Sequence, residues 1–208
     1  MHSTSTLTPV SASLAVATKH SVWRTSIRFT LVTTLLLGIA YPLLVTGIAG
    51  AIFPREAAGS LILKDGQVIG SELLAQSLIS DSYFHPRPSA AGNGYDATAS
   101  GGSNLAQSNK TLVERVQSSI DKLSKENQGQ PVPIDLVTTS GSGLDPDITP
   151  DAAFFQAPRV AKARGLSEDR IRQLIQNQIT PRQFGVLGEP RIDVLSSTST
   201  STRSGNSP

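Results

Sequence analysis

Cysteine is absent from the 208-residue chain, which excludes disulfides, thiolate metal sites and a cysteine nucleophile. The absence does not assign a compartment, since many proteins outside the cytoplasm also lack cysteine. Charge is sparse: Asp, Glu, Lys and Arg make up 16% of the chain and almost cancel, to a formal +2. No dense run of Lys and Arg occurs, so the electrostatic footprint of a nucleic-acid binder is missing and no nucleic-acid partner is expected. Histidine is also scarce. His2 and His20 precede the first long apolar run, which leaves His85 alone beyond it, and one histidine without cysteine makes a poor zinc site. The phosphate-cradling pattern G-x-x-x-x-G-K-[ST] is missing too. No pair of carboxylates is set apart by its surroundings as an acid–base couple. The sequence therefore assigns no catalytic residue, no metal and no motif-bound cofactor, and the chain is not expected to be an enzyme by itself.

What it does contain is an uncharged stretch between Arg28 and Arg55, FTLVTTLLLGIAYPLLVTGIAGAIFP. As a helix, residues 29–54 measure about 36–39 Å, more than the ~30 Å a hydrocarbon core requires. An isolated span must satisfy its backbone polar groups internally, so helix is the expected state. Ala49-Gly50-Ala51 resembles a signal-cleavage site, but the apolar run before it, about 20 residues, exceeds the ~7–15 of a signal core. Lys19, Arg24 and Arg28 precede the span with no acidic residue in 1–28, while Arg55 and Lys64 follow it. By a thin margin this charge bias puts the N-terminus in the cytoplasm. The expectation is a single-pass protein of the plasma (inner) membrane with its main domain outside. Small residues recur four apart at Thr34/Gly38, Thr46/Gly50 and Gly47/Ala51, a spacing that lets another helix approach, with Gly38 and Gly47 as candidate contacts. The competing account is that Gly and Pro are simply common in membrane helices. Pro42 removes a donor mid-span and is expected to bend it.

Four segments follow: a mostly disordered cytoplasmic tail (1–28), a membrane helix (29–54), one small α+β domain (55–195) and a disordered Ser/Thr-rich tail (196–208). In the domain, Leu61–Ile69 reads as a hairpin around Asp65-Gly66. Residues 71–79 read as a short helix, and 80–103 as a long irregular segment of the kind that is usually functional or mobile. Asn104, with Gln107 three residues on, reads as the capping box of a helix whose stripe is Leu112, Val113, Val116, Ile120 and Leu123. That helix ends by Gly129 and Pro131, and VPIDLVTT (132–139) reads as a strand. Ser140–Asp147 carries two aspartates but lacks the rest of a calcium loop, and reads as a turn. Thr149-Pro150 opens a helix that stops at Gly165, with Pro158 expected to bend or split it. Ser167 caps the next helix, with Ile171, Leu174, Ile175 and Ile179 facing inward. A strand at Arg191–Leu195 closes the domain. His85, in YFHPRP, reads first as a histidine orienting a loop.

Three blocks go further than composition. YFHPRPSAAGNGYDATASGGSNLAQSN (Tyr83–Asn109), DLVTTSGSGLDPDITPDAAFFQAPRVAKARGL (Asp135–Leu166) and LGEPRIDVL (Leu187–Leu195) occur in that order. They resemble the signature of the potassium-transporting ATPase C subunit, the KdpC family, over about residues 30–195. The resemblance implies a non-catalytic subunit of an ATP-driven, high-affinity potassium importer. Its partners would be a channel-like potassium-binding subunit, a P-type ATPase subunit and a small single-span subunit. It also implies a catalytic-chaperone role that raises the ATP affinity of the hydrolysing subunit, with ATP shared between the two if it is contacted at all. The family's proposed nucleotide-touching glutamine, in A-A-x-x-Q-x-P-R, falls on Gln156. That assignment conflicts with a domain outside the cytoplasm. The partner-contact candidates are Tyr83, Phe84, His85, Arg87, Asn104 and Arg159 in the domain, and Gly38 and Gly47 in the span. A membrane-anchored solute-binding or scaffold module shares the topology and stays open as the alternative. A tethered hydrolase would have only His85 as its base.

Overall fold

A computed structural model describes residues 14–64, 66–127, 129–195 and 197, with the backbone alone for 14–21 and 64. The two tails read as disordered lie, apart from residues 14–28 and 197 at their inner ends, outside the described residues. The chain divides into two units at Ala58/Gly59.

The first unit is a helix: α1 (Leu14–Thr33), a π-helical stretch (Thr34–Ala40) and α2 (Tyr41–Ile52). Its described part runs from Leu14, N-terminal to Phe29, and residues 14–28 contain neither Gly nor Pro to break it. Its 31-residue apolar part, Val22–Ile52, is long and apolar enough to cross a membrane, and none of its side chains is buried within the chain. Pro42 leaves the helix running, and the adjustment is made in the turn before it. Pro42 cannot donate to Gly38, and the Tyr41 N–H bonds Leu36 O across a widened turn. Thr33 returns its hydroxyl to Phe29 O (2.7 Å), which satisfies a polar group in an apolar helix. Pro54 ends this helix, with Phe53 pushed out of helical geometry (φ −127°, ψ 62°), and opens the single turn α3 (Pro54–Ala57).

The second unit is the α+β domain. Strands β1 (Leu61–Lys64) and β2 (Gln67–Ser71) pair antiparallel, with Lys64 opposite Gln67 and Gly66 at φ +79° in the turn. Asp65 of the expected Asp-Gly turn lies outside the described residues. The helix expected at 71–79 does not form. Ser71 Oγ bonds Gly59 O, the Leu73 N–H bonds Ser71 Oγ and the Ala75 N–H reaches Leu144 O, so the local backbone is satisfied without a helical ladder. Asn104 is no cap: it is exposed at φ +51°, and α4 (Lys110–Glu126) is capped by Asn109, whose side chain accepts from the Thr111 N–H (2.9 Å). The strand expected at 132–139 is a 3-10 turn at Ile134–Leu136, because Pro131 and Pro133 remove donors that a ladder would need.

Helix α5 (Pro150–Arg164) begins as read, with Thr149 capping the Ala152 N–H, and ends on Gly165 at φ +66°. It runs unbroken through Pro158. The lost bond of ~3 kcal/mol is offset by the buried face on both sides of it: Ala152, Ala153, Gln156, Ala157, Val160 and Ala161. Helix α6 (Glu168–Gln178), capped by Ser167, packs Ile171 and Ile175 on that alanine-rich face, and Leu174 and Ile179 pack at its margin. The final strand shrinks to β4 (Ile192–Asp193), paired antiparallel with β3 (Asp147–Ile148). Phe84, Leu136, Ile148, Ile192 and Val194 complete the core around α5 and α6.

Candidate functional site

Segment 80–103 contains almost no regular structure, so its polar backbone needs partners elsewhere. One face of α5 supplies them. Gln156 Oε1 accepts from the His85 N–H (2.8 Å), and Gln156 Nε2 donates to His85 O (3.1 Å). Arg159 donates to Asp81 O (2.6 Å), Tyr83 O (3.1 Å) and Gln156 Oε1 (2.7 Å). Arg164 donates to Ser82 O (2.6 Å), and its guanidinium lies 5.9 Å from the Tyr83 ring centroid. Side chains on successive turns of one helix thus hold the carbonyls of 81, 82, 83 and 85, while Phe84 between them inserts into the core (3% exposed).

The neighbouring stretch is laced to the Ser140–Asp145 loop. Arg87 reaches Asp145 Oδ2 (3.4 Å), Thr138 Oγ1 (3.4 Å) and Thr139 O (3.3 Å). Ser89 Oγ donates to Gly143 O (2.6 Å) and accepts from the Ala91 and Tyr95 N–H groups, and Tyr95 OH donates to Arg87 O (2.8 Å). Gly143 sits at φ +67°, where a Cβ would lie 2.6 Å from Gly101 O and 2.7 Å from Ala91 N, so only glycine fits. The two aspartates read as part of a turn behave as such: Asp145 pairs with Arg87 and bonds the Asp147 N–H, and Asp147 pairs with Arg191.

Burial drives the imidazole of His85 toward its neutral form, below its ordinary pKa of 6.5. Arg159 pushes the same way, while the bond to Ser80 O and the charges of Asp81 and Glu126 push weakly back. His85 Nε2 lies 3.3 Å from Ser80 O, a contact the neutral ring makes as a donor. His85, Gln156 and Arg159 line a cavity of about 110 Å³ closed by Leu123, Glu126 and Phe155. Sites that bury a small molecule run to ~300–1,000 Å³. Gln156 itself is 4% exposed, and its carboxamide is already engaged on both ends. Among the described residues, no three His, Asp or Glu side chains gather as a metal site would require.

The sequence candidates thus divide. Tyr83, Phe84, His85, Gln156 and Arg159 come together as one clamp on α5, while Arg87 is tied to Thr138, Thr139 and Asp145, and these bonds are internal to the domain. Asn104 stands apart, exposed. In the apolar helix, a Cβ on Gly38 would meet only Thr34 Cγ2 at 3.8 Å and one on Gly47 nothing within 4 Å, so nothing among the described residues requires glycine there. Sequence reading missed Ser89 and Arg164. Arg164 was visible as the last residue of α5, five after Arg159, but its partner lies 82 residues away.

The quoted blocks are the parts that meet in this clamp and in the β3–β4 pair. The model of a family described as KdpC: K+-transporting ATPase, c chain, matches residues 23–198, through both units of the chain. Potassium-transporting ATPase KdpC subunits of Acidobacterium capsulatum and Rhodopseudomonas palustris are 56% and 54% identical to it over 173 and 184 residues, each alignment covering 83% of this chain and 92% of the relative. That of Koribacter versatilis is 52% identical over 171 residues, 82% of this chain and 89% of its own. The chain belongs to the KdpC family, the c chains of K+-transporting ATPases.

Proposed function

We propose that the chain serves as the accessory c subunit of an ATP-driven potassium importer, anchored by one span with its N-terminus in the cytoplasm and its α+β domain outside. The observation that carries this reading is the family match over 23–198, which runs through the apolar helix as well as the domain. The partners are a channel-like potassium-binding subunit, a P-type ATPase subunit and a small single-span subunit, and Gly38 and Gly47 offer the span's closest approach to them. The subunit is non-catalytic. It stabilises the assembly and raises ATP affinity through linkage: a domain on one side of the bilayer changes a site on the other by favouring one conformation of the whole complex.

Direct nucleotide contact by Gln156 would require releasing three hydrogen bonds that hold the 81–85 segment. Gln156 is therefore read as a clamp. The test compares complexes with the full chain and with a chain ending after Ala58. The expected result is a several-fold rise in the ATP concentration needed for half-maximal hydrolysis, with weakened assembly. Unchanged assembly, ATP affinity and potassium affinity would refute the reading. An anchored solute-binding module is the second reading. It has one observation in its favour, a groove of about 780 Å³ lined by Pro131, Ile134, Asp151, Phe154, Pro158 and Arg172. It requires the isolated chain to bind a solute without partners.

A further inference from the structure

Beyond α6 the chain runs out into a hairpin-like projection. Thr180 and Arg191 exchange backbone hydrogen bonds (2.8 and 3.0 Å), and Gln183 and Leu187 exchange a second pair (2.9 and 2.9 Å). The inner pair closes a three-residue loop, Phe184-Gly185-Val186. At its tip Phe184 is 92% exposed, Val186 72% and Leu187 56%. Phe184 also sits at φ +52°, a left-handed conformation that a side chain with a Cβ adopts only at a cost. Glycine occupies the next position, Gly185, at φ +75°. A large aromatic side chain is thus held in an unfavourable backbone conformation on a loop braced by two closed rungs, and it stays almost wholly exposed. Neither local conformation nor domain packing accounts for a phenylalanine there.

We propose that Phe184, flanked by Val186 and Leu187, is a preformed apolar plug that inserts into a neutral, apolar socket on a partner subunit of the transport ATPase. This rests on the subunit reading above. Two observations select a protein socket over a lipid surface. The charges beside the tip are mutually neutralised, Arg182 by Glu189 at 2.5 Å and Arg191 by Asp147 at 3.0 Å, so no basic surplus faces anionic headgroups. The loop backbone is fixed by the two bonds between Gln183 and Leu187, which matches a shaped pocket and is of no use to a fluid interface. A buried aromatic anchor of this kind dominates an interface, and truncating it weakens binding by about 30-fold or more.

The test uses the whole complex, solubilised gently through a tag on this chain. Phe184→Ala and Phe184→Asn should lower retention of the partner subunits by about 30-fold or more. Phe184→Asn should leave the melting temperature of the chain unchanged or higher, because asparagine tolerates positive φ. Stability and association thus move in opposite directions, which a folding defect cannot produce. The chain has no cysteine, so Val186→Cys, two residues from an intact Phe184, supplies a unique thiol at the loop tip. A benzophenone maleimide attached there should crosslink to a partner polypeptide on illumination. In the assembled complex the same thiol should be shielded from a membrane-impermeant maleimide. A thiol that stays reactive in an intact complex, adducts to lipid alone, or undiminished partner retention by Phe184→Ala and Phe184→Asn overturns the plug alone. A wild-type chain recovered without partners overturns the subunit reading and the plug together.

Discussion

Replacing Gln156 with alanine separates the two roles that its position allows. The substitution removes an acceptor from the His85 N–H and from Arg159, and a donor from His85 O. Each buried polar group left without a partner costs about 1–3 kcal/mol, and the half-buried site lets some water in, so the total loss is about 2–4 kcal/mol. For a domain of roughly 140 residues this lowers the melting temperature by about 6–15 °C. Gln156→Glu should fall between, because a carboxylate keeps the acceptor for His85 N–H and Arg159 but turns an oxygen toward His85 O. The assay is thermal unfolding of the detergent-solubilised chain, together with amide exchange at His85, whose N–H should lose protection in Gln156→Ala and keep most of it in Gln156→Glu. ATP affinity of the complex should fall only as far as the domain loosens. If Gln156→Ala left melting and His85 protection untouched while ATP affinity collapsed, Gln156 would be a nucleotide ligand and the clamp argument would be wrong.

Three further outcomes follow from the same geometry. Gly143→Ala should destabilise the domain by about 3 kcal/mol or more, since a Cβ at φ +67° meets Gly101 O and Ala91 N below 3 Å, and thermal unfolding reads this directly. Thr149→Ala removes the cap of α5 and should cost about 1 kcal/mol, while Thr149→Ser should retain most of it by the same measurement. The His85 pKa lies lower in the folded chain than its ordinary 6.5, so the unfolded chain binds the proton more readily. Stability should therefore fall as pH drops below 6.5 and level off beneath the folded value, and His85→Gln should flatten this part of a melting-versus-pH curve.

The legible parts of the fold were those written in adjacent residues. Thr149-Pro150, Gly165 and Ser167 each mark a helix boundary with chemistry that needs no distant partner, and each stands where it was read. Asn104 shows the limit. It and Asn109 are equally competent caps, and only the chain's path, with Asn104 at φ +51°, decides between them. VPIDLVTT has strand-like composition but no strand beside it, and Asp135 instead turns inward to accept the Thr149 N–H (2.7 Å). The apolar stretch from Phe29 is helical as its composition predicts, through Ile52, while the helix also takes in residues 14–28, whose few large apolar side chains carry no such signal. The clamp was half legible. Residues 83–87 and 156–159 stood out as motifs, but the bonds that join them cross 71 residues, and no local pattern encodes such a pairing.

The most direct test of the account is to recover the chain by a C-terminal tag from cells grown in low potassium and identify what accompanies it. The account predicts a large potassium-binding subunit and a P-type ATPase in the same particle, with potassium-stimulated ATP hydrolysis. A monodisperse chain without partners or ATPase activity would contradict it and favour the anchored binding module.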